Sequence, residues 1–382
     1  MKYRVCHISE STSGGVYTHL IQLAKHLNQE MFDQTYILSS IKNESLKEQK
    51  SFFGHSLIIA DMKREISLLG DLKSLLQITR YLRANKFDVI HCHSSKAGVI
   101  GRIAAFLTGH PTVFYTPHSF SFHAFNSKLK NAFFMGIERC MASFTTRLIC
   151  VSLGEARLAV NSKVVPSSKI RVILNGVDQD PVYKEGILTE TYRPQAVDNA
   201  PRLISFIGRL SKQKNPHMAV EAMKYVTTPN TQLILMGGGP LEKELKAFAD
   251  TIGVSNKVRF MGDVSQVRPL LRECELFVST SLWESMPYAI LEAMAESVPI
   301  IATEIDGVTD LIKHNETGAL VSPFDSQGLG KLIDEFLRDK QKSRQLALRA
   351  QEWIRKNHTI EGMITKLEKL YLSPQGDEDV YA

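Results

Sequence analysis

Two glutamates eight positions apart, Glu284 and Glu292, carry the most specific chemistry in this 382-residue chain. Glu284 stands where a strand-like apolar run, 276–280, gives way to a loop. Glu292 falls inside an apolar, helix-forming run beside Leu291 and Met294, where a carboxylate without a partner is costly to desolvate. A carboxylate accepts two hydroxyl hydrogen bonds at once, so the vicinal hydroxyls of a sugar are a natural ligand. A capped or ion-paired helix glutamate is the plainer reading. Arg209 and Lys214 bracket a turn, Gly208-Arg209-Leu210-Ser211-Lys212-Gln213-Lys214-Asn215-Pro216, and could converge on a diphosphate. Arginine would serve there as a planar fork and lysine as a point charge. The same residues would also suit a solvated loop.

Three further groups have chemistry to offer. Ser13-Gly14-Gly15-Val16 directly follows a strand and opens a helix, where close backbone approach and unpaired N–H groups favour an anion. Glycines at such a turn are often purely structural, and the spacing is not G-x-G-x-x-G. Thr116-Pro117-His118-Ser119 follows the strand-like run 112–115, and His118 is either a site residue or a hydrogen-bonded loop histidine. His91-Cys92-His93-Ser94-Ser95-Lys96 ends the preceding strand. His91 and His93 share one face of that strand, but no third metal ligand is evident, so at least one is expected to be packing.

These residues need strands and helices to place them. In the first half, apolar runs at 3–9, 35–40, 87–91, 112–115 and 148–151 read as strands. Helical periodicity runs through 16–27, 72–82, 98–107 and 127–142. After a polar stretch rich in Pro, Asp and Asn (178–201), which is the expected boundary, the alternation resumes. Strands are expected at 203–207, 232–236, 258–261, 276–280 and 299–302, and helices at 218–226 and 241–249. Alternating strands and helices imply parallel β-α-β units, and two consecutive α/β sandwiches with a cleft between them. Ligands of such sheets sit beyond the carboxyl ends of the strands, where the motifs fall.

Taken together, Glu284-x7-Glu292, the Gly14-Gly15 loop, the 208–214 turn, Gly237-Gly238-Gly239-Pro240 and the Asn175-Gly176-Val177-Asp178 crossover resemble the retaining glycosyltransferases of GT-B fold, family four. The similarity covers nearly the whole chain. It implies an α/β GT-B fold, with two Rossmann-like α/β/α domains facing a central cleft. The acceptor-side domain would be residues 1–176, with a C-terminal helix near 360–382 returning to it. The nucleotide-sugar domain would be residues 177–359. The resemblance implies that Arg209 and Lys214 hold the diphosphate, Glu292 the ribose hydroxyls and Glu284 the donor sugar. Backbone amides at Ser285 and Met286 would lie near the sugar and β-phosphate, with Gly14, Gly15, Gly208, Gly238 and Val264 completing the donor site. Gly262-Asp263-Val264 resembles the base-contacting segment. Many members carry Gly-Phe-Gly where this chain has Ser285-Met286-Pro287, and Pro287 has no N–H to donate. His118 matches the cleft histidine near the sugar and leaving group, which makes His118, Glu284, Arg209 and Lys214 the implied catalytic set. His93, Ser94 and His19 fall on the acceptor side.

The implied reaction moves a sugar from a nucleotide-diphosphate donor, with uracil the favoured base, to a hydroxyl of a glycan or polyprenyl-diphosphate-linked acceptor. The setting is bacterial capsule, exopolysaccharide or lipopolysaccharide synthesis. Asp178-Gln179-Asp180 matches the D-x-D of metal-dependent transferases of the other main fold, but lies in the crossover away from the diphosphate turn. Arg209 and Lys214 already supply positive charge, so no metal and no cofactor are expected. A nucleotide-sugar 2-epimerase and a non-catalytic nucleotide-sugar sensor are the alternatives on the same architecture.

Composition sets the frame. A chain of this length exceeds one core, and 43% hydrophobic residues suffice for two. Five scattered cysteines, none in a C-x-x-C pair, argue against a disulfide framework or structural zinc and fit a reducing cytoplasm. No secretory leader is expected, since Arg4, His7 and Glu10 interrupt the start. Residues 1–180 hold 22 Lys/Arg against 13 Asp/Glu, whereas residues 181–382 hold 24 against 27. An anionic partner for the first half follows, or simply a solvated basic surface. No nucleic-acid-binding motif is present. Residues 103–127 contain no formal charge, yet Gly109, Pro111 and Pro117 exclude a continuous membrane helix. Phe120, Phe122 and Phe125 either form an interfacial patch at the inner membrane face or pack internally.

Overall fold

The computed structural model describes residues 2–39, 53, 57–60, 62, 66–123, 127–179, 201–264 and 266–376. The chain folds as two units, Met1–Asn175 with Ile360–Ala382, and Gly176–Thr359. The first unit holds strands β1 (Tyr3–Ser9), β2 (Phe32–Leu38), β3 (Leu57–Ile59), β4 (Val89–His93), β5 (Val113–Thr116), β6 (Arg147–Cys150) and β7 (Ile170–Val172). They form one parallel sheet in the order β3-β2-β1-β4-β5-β6-β7. Its helices are α1 (Gly14–His26), α2 (Leu68–Ala84), α3 (Ser95–Leu107), α4 (Lys128–Met141) and α5 (Leu153–Asn161).

The second unit holds β8 (Arg202–Ile207), β9 (Thr231–Met236), β10 (Val258–Gly262), β11 (Leu276–Ser279), β12 (Ile300–Thr303) and β13 (Ala319–Val321). These too are parallel, in the order β10-β9-β8-β11-β12-β13. Helices α6 (Pro216–Ala222), α7 (Glu242–Thr251), α8 (Val267–Arg272), α9 (Tyr288–Ala295), α10 (Ser326–Arg338) and α11 (Lys340–Asn357) accompany them. A last helix, α12 (Ile360–Leu372), belongs to the first unit. There Ile360, Ile364, Leu367 and Tyr371 cover Val5, Val89, Phe114 and Ile149 on one sheet face. Helices α3 and α5 cover the other face through Ala97, Ala104, Ala156 and Ala159.

Burial on both faces explains why the strands read as unbroken apolar runs rather than alternating ones. The expected helix at 218–226 is instead Pro216–Ala222: proline is preset for a first helical turn, and Asn215 before it is left-handed at φ +45°. The uncharged run 103–127 is divided between the end of α3, strand β5 and a 3-10 turn at Ser121–His123. Among the described residues no helix is long and apolar enough to cross a membrane. Phe120 and Phe122 are stacked on each other and buried, so of the two alternatives they follow internal packing rather than an interfacial patch; Phe125 lies outside the described residues. Burying both rings removes far more apolar surface from water than an exposed patch would.

Candidate active site

In each sheet, strand order reverses at one point, which leaves a crevice at the strands' carboxyl ends. In the second unit that point lies between β8 and β11. Strand β8 runs out into Gly208, and β11 into Thr280 and Ser281. The two loops are tied together: Thr280 Oγ1 donates to the Lys214 and Asn215 carbonyls at 3.0 and 2.9 Å, and Leu282 N–H donates to the Gln213 carbonyl at 2.8 Å. Lys214 Nζ and Glu284 Oε1 form an ion pair at 2.5 Å, and Ser281 Oγ donates to the same oxygen at 2.7 Å. Two residues singled out in sequence thus meet directly. Glu284 is oriented by a cation and a hydroxyl, so it is a fixed acceptor.

The glycine run 237–239 closes on the same turn. Leu210 N–H donates to the Gly238 carbonyl, and Leu241 N–H to the Leu210 carbonyl, at 2.9 and 3.1 Å. A Cβ at Gly237, whose φ is +133°, would lie 2.3 Å from the Gly208 carbonyl oxygen. Only glycine allows this approach. Gly238 N–H donates to Asp263 Oδ1 at 2.7 Å, so Asp263 anchors the run, while Val264 packs near Ile234 and Met236. Arg209 is exposed on the turn, and Ser285, Met286 and Pro287 are buried ahead of α9.

Glu292 lies half-buried on α9, and no described residue hydrogen-bonds its carboxylate. Burial pushes its pKa up to about 7, with Arg268 opposing and Glu296 adding to the rise. Glu296 is differently placed, paired with Arg268 and with Arg272 at 2.5 and 2.6 Å. Of the D-x-D run, the Asp178 carbonyl accepts from Arg268 Nη1 at 3.0 Å, and Asp180 lies outside the described residues.

In the first unit the sheet reverses between β1 and β4. Ser9 pairs with His93, and His93 with Thr116, so the ends of β1, β4 and β5 lie side by side. Gly14 and Gly15 open α1, which carries His19. Glu10 caps α3: its carboxylate accepts from Ser94 Oγ, and from Lys96 and Ala97 N–H at 3.3 and 2.9 Å. His118 and Ser119 have left-handed backbones at φ +52° and +102°. Such strain persists only where neighbours enforce it. Here Glu155 does so, accepting from Ser119 and Val151 N–H at 2.8 and 2.9 Å.

Five histidines gather at these strand ends. His7 Nδ1 is 3.2 Å from His93 Nε2, and His93 Nδ1 is 3.2 Å from His118 Nε2. The His19 ring lies 4.8 Å from that of His118, and His19 bonds the Asn175 side chain. His91 is held by Tyr371 and Thr116 hydroxyls at 2.7 and 2.8 Å. Burial drives all five pKa values down, to about 3 for His7 and about 4 for His19. The rings are therefore neutral. The expectation that His91 and His93 lack a third partner is corrected. His7, His91 and His93 hold ring nitrogens within 4.8 Å of one another, as do His19, His93 and His118.

Sequence reasoning missed His7, Glu10, Glu155 and the anchoring by Asp263. Each acts on a partner between 25 and 87 residues away, except that Glu155 also accepts from Val151 N–H four residues before it. Only the place of His7 late in β1 and of Glu10 directly after it hinted at them.

Comparisons with known proteins agree with this fold. Residues 13–181 match the family described as Glycosyltransferase Family 4, and residues 189–353 that described as Glycosyl transferases group 1. A UDP-Gal:alpha-D-GlcNAc-diphosphoundecaprenol alpha-1,3-galactosyltransferase of Escherichia coli is 31% identical over 88% of this chain and 86% of its own. The capsular polysaccharide biosynthesis glycosyltransferase CapM of Staphylococcus aureus is 24% identical over 85% of this chain and 87% of its own. The crystal structure of Anabaena HepE in complex with UDP and glucose superposes with a TM-score of 0.80 at 21% identity, covering 97% of this chain and all of that one. With two parallel α/β units, a match to both halves and a relative of that identity, the chain belongs to the family 4 glycosyltransferases of GT-B fold.

Proposed function

We propose that the chain transfers a sugar from a UDP-sugar to a hydroxyl of a lipid-linked glycan, with retention at the anomeric carbon, in bacterial surface polysaccharide synthesis. The observation that carries this reading is the pairing of Lys214 with Glu284 at the reversal point of the second sheet, with the carboxylate of Glu292 held nearby in sequence on α9 without a hydrogen bond to a described residue. Lys214 and Arg209 hold the diphosphate, Glu292 accepts from two ribose hydroxyls, and Glu284 accepts from the sugar. The bond from the anomeric carbon to the phosphate oxygen breaks as the bond to the acceptor oxygen forms on the same face. The acceptor proton passes to the departing phosphate. Arg209 and Lys214 stabilise the charge that develops there, and His118 hydrogen-bonds the sugar. Fixed cationic groups make a metal unnecessary, so EDTA leaves the rate unchanged.

The name of the Escherichia coli relative supports a diphosphoundecaprenol-linked acceptor and a galactosyl donor, within the wider hexosyl or N-acetylhexosaminyl class. Such an acceptor brings the protein to the membrane surface. The face for that contact is α2, not the buried phenylalanines. Leu69, Leu72 and Leu76 recur at helical spacing on its exposed side, and Lys73 and Arg80 line the same concavity. Apolar side chains flanked by cations fit an anionic bilayer. Pull-down by anionic but not zwitterionic vesicles, lost in Leu72→Glu, is expected; equal recovery with both vesicles would contradict it.

Donor binding is tested by thermal shift with UDP, GDP and ADP, with and without EDTA. A rise in Tm with UDP that survives EDTA is expected, and no rise with any nucleotide would contradict the donor assignment. An epimerase would release an altered nucleotide-sugar without acceptor, and a sensor would bind without turnover.

A further inference from the structure

We propose that His93, backed by His7, is a positioning residue that holds the His118 imidazole in one tautomer, with its proton on Nδ1. The inference rests on the reading that His118 faces the sugar, but its first test does not need that reading.

The three rings form a line: His7 Nδ1 to His93 Nε2, and His93 Nδ1 to His118 Nε2, each at 3.2 Å. His7 sits inside β1, His93 ends β4, and His118 follows β5, so three adjacent parallel strands fix the spacing. His7 and His93 are fully buried. Burial keeps the rings neutral, and a neutral imidazole has one donor and one acceptor nitrogen. If each contact holds one proton, the line has only two arrangements. Either every ring carries its proton on Nδ1 and donates outward toward His118, or every ring carries it on Nε2 and donates inward.

The inner end decides between them. His7 Nε2 is buried and has no hydrogen-bond partner among the described residues. In the inward arrangement this atom is an N–H buried without an acceptor, which folded proteins almost never tolerate. In the outward arrangement it is a bare lone pair, the milder defect. The outward line therefore prevails, and His118 Nε2 accepts from His93. The remaining nitrogen of His118, Nδ1, bonds no described residue. It is presented as a fixed N–H donor, suited to an oxygen of a sugar hydroxyl or a phosphate.

The same rings belong to the two trihistidine groups that could hold a metal, His7 with His91 and His93, and His19 with His93 and His118. His91, however, already gives both of its nitrogens to Tyr371 and Thr116. Each contact along the line is satisfied by one proton without an ion.

The test is nitrogen NMR of the histidine-labelled full chain, with His118 assigned by the signals missing from His118→Gln. In the wild type, His118 is expected to show a protonated Nδ1 and an unprotonated Nε2. His93→Leu removes the donor and should leave His118 as a mixture of tautomers. His93→Asn places an amide N–H where the imidazole Nδ1–H was, and should restore the single tautomer. Transferase kcat/KM is expected to fall about ten-fold in His93→Leu, the worth of roughly one hydrogen bond, and within about three-fold of wild type in His93→Asn. A wild-type His118 protonated on Nε2 overturns the proposal. So does an Asn variant that folds yet loses as much activity as Leu, or one equivalent of Co(II) bound with histidine-nitrogen ligation. Should His93→Leu fail to fold, the wild-type tautomer alone still decides. Absent turnover in every variant with the outward tautomer in place would fault the transferase reading and leave the histidine line standing.

Discussion

At the scale of single residues, the two glutamates of the second unit differ in what satisfies them. Glu284 is neutralised by Lys214 and bonded by Ser281, whereas Glu292 is held with its pKa raised to about 7 and no hydrogen bond to a described residue. Two ribose hydroxyls donate one to each oxygen of the carboxylate form, whereas protonation turns one of those oxygens into a donor and weakens the other as an acceptor. Below pH 7 the proton must first leave, so donor affinity should weaken as pH falls through about 7 and level off above it. Calorimetric titration with UDP from pH 5.5 to 8.5 measures this. In Glu292→Gln the pH dependence should vanish and affinity fall about ten- to one-hundred-fold, in line with about 1.5–3 kcal/mol for a hydrogen bond to a charged group. A second contrast concerns the two cations. Lys214→Met strands the partly buried Glu284 carboxylate, so both turnover and Tm should drop, the loss of stability staying below the roughly 3–5 kcal/mol of a fully buried pair. Arg209 is exposed, and Arg209→Met should cut turnover with a change in stability of about 0.5 kcal/mol or less.

At the scale of elements, α3 is the piece that joins core to site. Its Gly98 lies so close to β5 that an added Cβ would stand 2.4 Å from the Tyr115 ring. That ring is fixed in turn, with Arg102 stacked over it at 3.9 Å and its hydroxyl on Glu138 at 2.8 Å. Gly98→Ala must lift the helix whose amino end holds Ser94 and Glu10. A loss of about 1–3 kcal/mol is expected by denaturant titration, together with lower turnover. Longer apolar strands were legible in the sequence because both their faces are buried. The three-residue strands β3, β7 and β13 were not, since so short a run carries no period. The site divides the same way. Glu284, Glu292, Arg209 and Lys214 stand at local motifs and could be read, whereas Glu10, Glu155 and His7 act across tens of residues and become meaningful only once neighbouring strands align.

At the scale of the whole molecule, the first unit stores the five clustered histidines, His7, His19, His91, His93 and His118, uncharged. In the unfolded chain they would take up protons near pH 6.5. In the folded chain His7 resists until about 3 and His19 until about 4. Between those limits the unfolded state binds more protons, so stability is full above about pH 6.5 and falls as pH drops, by about 1.4 kcal/mol per histidine per pH unit. Denaturant titrations from pH 7 to 5 should show one transition losing stability steeply, because the two units need not unfold together. A flat profile would mean that the cluster is not buried and neutral.

The most direct measurement incubates the full chain with a panel of UDP-sugars and a polyprenyl-diphosphate-linked N-acetylglucosamine acceptor, following UDP release and the acceptor by mass spectrometry and NMR. One sugar residue should be added per UDP released, with the anomeric configuration of the donor kept, in the presence of EDTA and only when acceptor is present. UDP-sugar converted to an epimer without acceptor, or an acceptor left unmodified with every donor, would contradict the assignment of this chain as the sugar-transferring enzyme.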